Sequence, residues 1–459
     1  MGGESGAGES GGAESERGES APARQTPPNA RSLLHHWFAW SLVLLGGLLA
    51  FVMSFAYLHA FLEPTNRLQN LPIGIVNLDR GATAVGEPLQ AGDQVVAQAT
   101  APQPGSKQPV HWVRFRTQEE LERAIRDFDV YGGFVVPADF SQRIATLGTS
   151  LGAAPPAAID VLESSGTGQF GAAVFDRIAN TLVPEASSSV RDQVLGKLRT
   201  AGVSVPASGI TSLGNPVVAH TTDLVPVSSK SGRGLAPFYF ALMMTLAGFA
   251  TTTAVSIGID VLAGHEEFDV LGHVIRLPDR GASESVRWRA KLVIVMVMAP
   301  LAAAAETLMA VHLLGMQNSS TWKLFLFAWL GIAAIASLTL VFLVAFGIIG
   351  ELVAVIFITI FGVPSALGVY PQYALPSLFR FISGWHPLRY ATDGARSITF
   401  FDARGAAGLD RAVVVLAIWW VATLLAGWAL AAFVDWWSGR RRARAAALAG
   451  ARAVDAVNA

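Results

Sequence analysis

The sequence contains no cysteine. Disulfides, thiolate metal sites and a cysteine nucleophile are therefore excluded. Charge is also scarce, at 15% of residues, where a soluble chain carries about a quarter. The net charge of -1 gives no global basic field for nucleic acid. Phosphate-cradling GxxxxGK[ST] is missing, and so are HExxH, paired metal-ligand histidines and a GxSxG elbow. The nearest phosphate-loop look-alikes, SKSGRG and VLGKLR, have the wrong spacing. No cofactor is expected, and any ATP hydrolysis must belong to another polypeptide.

What the chain does have is long apolar runs. The first covers Trp37 to about Leu62, within a span placed at 36–62. Four more lie between Leu235 and Pro371, and the last spans about Ala412 to Val434. About 20 apolar residues cross a ~30 Å hydrocarbon core as a helix. The expected fold is a polytopic α-helical membrane protein with six transmembrane helices. An α/β extracytoplasmic domain (63–233) is inserted between helices 1 and 2, and the other five helices occupy 235–437. Residues 1–30, rich in Gly, Ser, Glu and Ala, bury too little to order themselves and are expected to be a disordered cytoplasmic tail.

The first apolar run exceeds a signal-peptide core and is expected to be a retained anchor. Arg24, Arg31, His35 and His36 precede it, and Glu63 follows it. Arg440, Arg441, Arg442 and Arg444 follow Trp436 and Trp437 at the far end, where 438–459 reads as a basic cytoplasmic tail. The positive-inside rule then places both termini in the cytoplasm of a plasma-membrane protein. One segment dissents: 371–411, expected outside, carries Arg380, Arg389, Arg396, Arg404 and Arg411.

In the insert, strands are expected at LPIGIVNLD (71–79), VHWVRF (110–115), YGGFVVPADF (131–140, ending at Pro137) and AAIDVLESSG (157–166). Thr117 and Glu120 form a candidate capping box. A long helix is expected over about 170–199, broken at Pro184. Asp160 and Glu163 are a conceivable hydrolytic pair or a pair of solvated loop carboxylates. His111, His220 and His386 are scattered and read as surface or interface residues. Asp260, His312 and Glu351 sit near span ends, where snorkelling to water is easy. Glu306 lies near the middle of span three. It is either a neutral acid hydrogen-bonded between helices or a group lining a pathway, because charge in lipid is costly.

Several stretches resemble the type-2 ABC exporter permeases, in the YhgE/Pip-like phage-infection-protein and nitrosoguanidine-resistance-domain branch. Residues 71–96 look like its VN-x-D-x-G and G-x-x-L-x-x-G opening, and 132–144 like its P-x-x-F-S segment. LAPFYFAL (235–242) resembles the entry to span two. Residues 346–401 resemble the FG-x-x-G turn and the outer segment ending in P-x-x-Y-x-x-x-x-x-R, here Pro387, Tyr390 and Arg396. The likeness covers about 36–437. In two places the chain departs from the pattern: Ala366-Leu367-Gly368-Val369 replaces a Gly-Gly-Thr, and Glu306 falls where many relatives have glutamine.

The resemblance implies an export permease for a hydrophobic or amphipathic compound, paired as a homodimer or with a paralogous permease. It implies a separate ABC ATPase docked on the cytoplasmic loop 264–291 and short re-entrant helices within the outer segment 371–411. In that loop Phe268, Val270 and Leu271 are the docking candidates, on an expected short amphipathic helix. The competing reading is a non-transporting envelope scaffold or a receptor whose outer domain binds a partner.

Overall fold

The computed structural model describes residues 37–84, 87–101, 108–147, 155–200, 202, 213–270, 273–275 and 277–458. The expected tail over 1–30 and the docking candidate Leu271 lie outside these.

The first helix, α1 (Trp37–Phe61), is apolar on all sides, as lipid requires. The insert follows. Its strands β1 (Leu71–Asn77), β2 (Ala82–Ala84) and β3 (Glu87–Leu89) precede helix α2 (Ala91–Ala99). Then come β4 (Val110–Phe115), α3 (Gln118–Arg126), β5 (Gly132–Val136), α4 (Phe140–Leu147) and β6 (Ala157–Glu163). Helix α5 (Gln169–Thr200) and β7 (Val217–Asp223) complete it. The sheet order is β4-β1-β5-β6-β7. Pairing is parallel except between β5 and β6. Period-two alternation sorts the side chains. Ile73, Ile75, Phe134, Ile159 and Val161 pack with α2, α4 and α5. Val76, Val135 and Leu162 turn the other way, toward Leu121 and Ile125 of α3. Gly74 lets α3 approach, since a Cβ there would collide with Leu121.

Three expectations change here. The fifth strand, β7, is an edge strand with exposed His220, Thr221 and Thr222, so hydrophobicity does not mark it. Helix α5 runs through Pro184 without a break. A continuous stripe (Phe175, Ala179, Val183, Ala186, Val190, Val194) anchors both halves to the sheet, and exposed Pro184 lies on the far side, where water can reach the freed carbonyl. Asp160 and Glu163 alternate onto opposite faces of β6 and make no pair; Asp160 meets His220 at 3.2 Å instead.

Beyond the insert come α6 (Ala236–Leu262), a hairpin of β8 (Phe268–Val270) and β9 (His273–Ile275), and α7 (Glu284–Thr307), which continues as a π-helical stretch, Leu308–Leu313. Then follow α8 (Thr321–Phe346), α9 (Ile348–Val355), α10 (Ser377–Ser383), α11 (Pro387–Phe400) and α12 (Asp410–Asn458). Among the described residues, five helical stretches are long and apolar enough to cross a membrane: 43–61, 236–262, 284–313, 321–346 and 405–447. A shorter apolar helix covers 349–365. The α8–α9 turn falls at Gly347, whose φ of 59° and ψ of -136° suit glycine. Helix α8 is the most buried of the five, and small residues let its neighbours close on it. A Cβ on Gly248 of α6 would stand 3.0 Å from the Ile332 carbonyl oxygen.

The 438–459 region continues α12 as helix through Asn458. Arg440 lies over the Trp436 ring and Arg441 over Trp437, at 4.1 and 5.2 Å, an aromatic–basic belt of the kind found at membrane interfaces.

Candidate functional site

The motifs of the α/β insert converge on one carboxylate. Asn77 Oδ1 accepts from the Asp79 N–H, and Asp79 in turn accepts from the N–H groups of Gly81, Gly92 and Ser141. The Ser141 hydroxyl donates to Asp79 Oδ2 at 2.5 Å and accepts from the Ala91 N–H at 2.9 Å. Gly92 has no room for a side chain, since a Cβ would stand 2.5 Å from that of Asp79. Leu89 and Phe140 are buried alongside. VN-x-D-x-G, G-x-x-L-x-x-G and P-x-x-F-S are thus three strands of one structural knot. It joins the end of β1 to the starts of α2 and α4, and its saturated carboxylate has no role left for chemistry. The Thr117 side chain accepts from the Glu120 N–H, and Glu120 accepts from the Arg116 N–H, one residue before the cap.

The candidates of the 371–411 segment, Pro387, Tyr390 and Arg396, are also locks. Pro387 occupies the first turn of α11 behind the N-cap His386, whose Nδ1 accepts from the Leu388 N–H. His386 is buried, and its Nε2 meets the Phe357 carbonyl in a π-helical stretch at 3.2 Å. The Tyr390 hydroxyl donates to the Gly384 carbonyl at 2.5 Å. Arg396, 4% exposed, donates to the Leu367 carbonyl at 2.8 Å, lies 3.7 Å from Asp393 and covers the Phe128 ring at 5.6 Å.

The other dissenting arginines are likewise engaged. Arg380 donates to the Leu375 carbonyl, and Arg389 pairs with Asp393 at 3.2 Å. Arg404 pairs with Asp127 of the α/β insert at 2.7 Å, and Arg411 lies over the Tyr390 ring. These charges are engaged within the fold. Arg389, Arg396 and Arg411 line a cleft of about 240 Å³ between the insert and the 367–411 segment. Burial holds the Tyr131 phenol there well above its usual range. Burial, then the neighbouring Asp127 charge, raises the Asp129 carboxyl.

The opposite end of the bundle holds an ion cluster. Asp260 of α6 pairs with Arg287 at 2.8 Å and with Lys291 at 2.7 Å, and Arg287 also pairs with Glu284. The expected snorkelling of Asp260 to water is replaced by this network, in which Lys291 is 3% exposed. Asp435 of α12 accepts from the N–H groups of Glu284 and Ser285 and caps α7 from outside. Between these anchors the expected docking helix is instead a hairpin. Phe268 pairs with Ile275 and Val270 with His273 across it, since β-branched residues alternating with polar ones favour period two.

Glu306 lies in the last third of the helical stretch 284–313, whose first turns carry Glu284, Arg287, Arg289 and Lys291. Both its carboxyl oxygens are buried and make no hydrogen bond of good geometry among the described residues; the Met244 backbone of α6 is the group that interacts with them. It lines a groove of about 560 Å³ between α6 and α7. The walls include Tyr239, Phe240, Met243, Ala305 and Met309. Lys230, exposed just before α6, stands at the edge over Gly315, where an added Cβ would lie 2.7 Å from its Nζ. Sequence reading singled out Glu306, but neither Lys230 nor the groove carries a local signal. Among the described residues no group of three or more His, Cys, Asp or Glu could hold a metal ion.

The comparisons with known proteins fit this layout. A family model described as "Protein of unknown function (DUF3533)" matches residues 41–425. The uncharacterized protein YhgE of Bacillus subtilis (strain 168) is 25% identical over 147 residues, 31% of this chain and 17% of that protein. The matched stretch therefore spans less than a fifth of that curated relative. No solved structure matches.

Proposed function

The chain belongs to the DUF3533 family, and from that premise we propose that it is the membrane-spanning permease of an exporter for hydrophobic or amphipathic compounds, driven by a separate ABC ATPase. The observation that carries this reading is the groove. It has the volume of a small-molecule site and walls that are nearly all apolar, with the Glu306 carboxyl set among them and Lys230 at the edge. It opens between two helices apolar enough to cross a membrane, so a compound dissolved in lipid reaches it without crossing water.

The membrane topology is part of the proposal. Helix 349–365, π-helical over Ile356–Gly362, serves as the fifth of six spans. The α/β insert, Gln317 and the 366–404 segment share one end. Gln317 accepts from the Ser228 N–H, Ser319 donates to the Ile398 carbonyl, and Arg404 holds Asp127. Asp260, Arg287, Lys291 and Asp435 share the other, and we assign that end and both termini to the cytoplasm. With no native cysteine, a single cysteine can report each side. Arg123→Cys should react with an impermeant thiol reagent in intact cells, and Ala445→Cys only after lysis. The reverse pattern would invert the assignment.

The hairpin between α6 and α7 is the proposed ATPase contact, carried on the Asp260 cluster and the Asp435 cap. Phe268→Asp should lower recovery of a co-purifying ABC ATPase at least about fivefold, which corresponds to about 1 kcal/mol of lost contact, with membrane levels unchanged. Equal recovery from wild type and variant would remove the hairpin from the interface. Two copies of the chain, or this chain and a paralogue, would form the complete permease.

A further inference from the structure

We propose that the groove between α6 and α7 selects lipophilic cations, with Glu306 as the counter-charge; this assignment rests on the permease reading above. An acid whose two oxygens are both buried without a well-formed hydrogen bond is costly to keep, because each oxygen has lost its water. The Met244 backbone of α6 compensates only part of that loss. A ligand bearing a protonated amine or a delocalised positive charge would supply the missing partner, and its apolar body would cover the walls.

Lys230 bears on the choice of sign. It is exposed at the edge, so water and salt screen it. Glu306 lies within the helical wall, where a charge acts with far less screening. The deeper group therefore decides which charge is accepted, and Lys230 acts against lipophilic cations at the entrance only weakly. The rest of the lining suits a class of compounds over one shape. Met243, Met309 and Met316 are flexible and polarizable, and Tyr239 and Phe240 offer aromatic surface that attracts cations. At about 560 Å³ the groove admits one compact aromatic cation.

The test is equilibrium binding to the full-length chain in lipid nanodiscs, read by fluorescence polarization. The cationic probe is rhodamine 6G, and Nile red is a neutral probe of similar bulk. Wild type should bind both. Glu306→Gln should weaken rhodamine 6G by at least about tenfold, the loss expected when one buried charge pair is removed, and leave Nile red unchanged. Glu306→Asp, which keeps the charge, should retain most of the rhodamine 6G affinity, and Ala305→Trp should exclude both probes by filling the groove.

Equal rhodamine 6G affinity in wild type and Glu306→Gln would overturn the cation assignment. If Ala305→Trp still removed both probes, the groove would stand as an export site for neutral compounds. If Ala305→Trp changed neither probe, the groove would not be a binding site, and the observation carrying the permease reading would fall with the proposal. A lipophilic anion, tested as a fluorescent fatty acid, that bound wild type more tightly than rhodamine 6G would also overturn the assignment.

Discussion

Asp79→Ala should lower the stability of the α/β insert by about 3 kcal/mol or more. The carboxylate accepts from three backbone N–H groups and one hydroxyl. Hydrogen bonds to a charged acceptor contribute about 1.5–3 kcal/mol each, and donors left unmet in partly buried positions add their own penalty. The loss would spread, because Ser141 also holds the Ala91 N–H and would lose its orientation. Pulse proteolysis of the purified full-length chain across a urea series measures it. At a slope of about 2 kcal/mol/M, the midpoint should fall by about 1.5 M. Asp93→Ala is the control. Its carboxylate accepts from the exposed Asn77 side-chain amide, and the midpoint should move by less than about 0.3 M, as surface changes usually do. Similar shifts for both variants would mean that the knot at Asp79 does not organise the domain.

The second large effect is expected at the other end of the molecule. Asp260→Ala leaves Lys291 buried and unpaired, and leaves Arg287 with Glu284 alone. Removing one partner of a buried ion pair costs about 3–5 kcal/mol, chiefly through the charge left behind. Removing both partners should cost less. The double variant Asp260→Ala, Lys291→Met should therefore melt at a higher temperature than Asp260→Ala alone in thermal aggregation of the detergent-solubilised protein. The cycle isolates the coupling because the two side chains are in direct contact. A double variant no better than the sum of the singles would show that the pair is solvated and contributes little.

The apolar stretches were legible in the sequence because a crossing helix is a local property of about 20 residues. Strands β1, β4, β5 and β6 were legible for a similar reason: alternation and β-branched residues declare themselves within six or seven positions. Strand β7 lies at the sheet edge with polar residues exposed, so its place depends on pairing with β6 and not on its own pattern. The passage of α5 through Pro184 depends on a buried stripe that only the sheet defines.

The sites divide in the same way. Glu306 stood out because an acid in an apolar run is conspicuous. The arrangement around it was not legible, because the groove needs α6 and α7 side by side. Asp79 meets Ser141 across 62 residues, and Arg404 meets Asp127 across 277. Pairings at such separations leave no periodicity to read. The motifs from 71–96 and 132–144 likewise read as family marks until the structure joined them at one carboxylate.

The central claim, ATP-driven movement of lipophilic compounds by this chain, is tested most directly in inside-out membrane vesicles from the native host, prepared with and without the chain. The expected result is ATP-dependent uptake of a fluorescent lipophile that requires the chain, disappears with a non-hydrolysable ATP analogue, and is lost on Ala305→Trp substitution. Uptake that is identical with and without the chain, across neutral, cationic and anionic probes, would contradict the account.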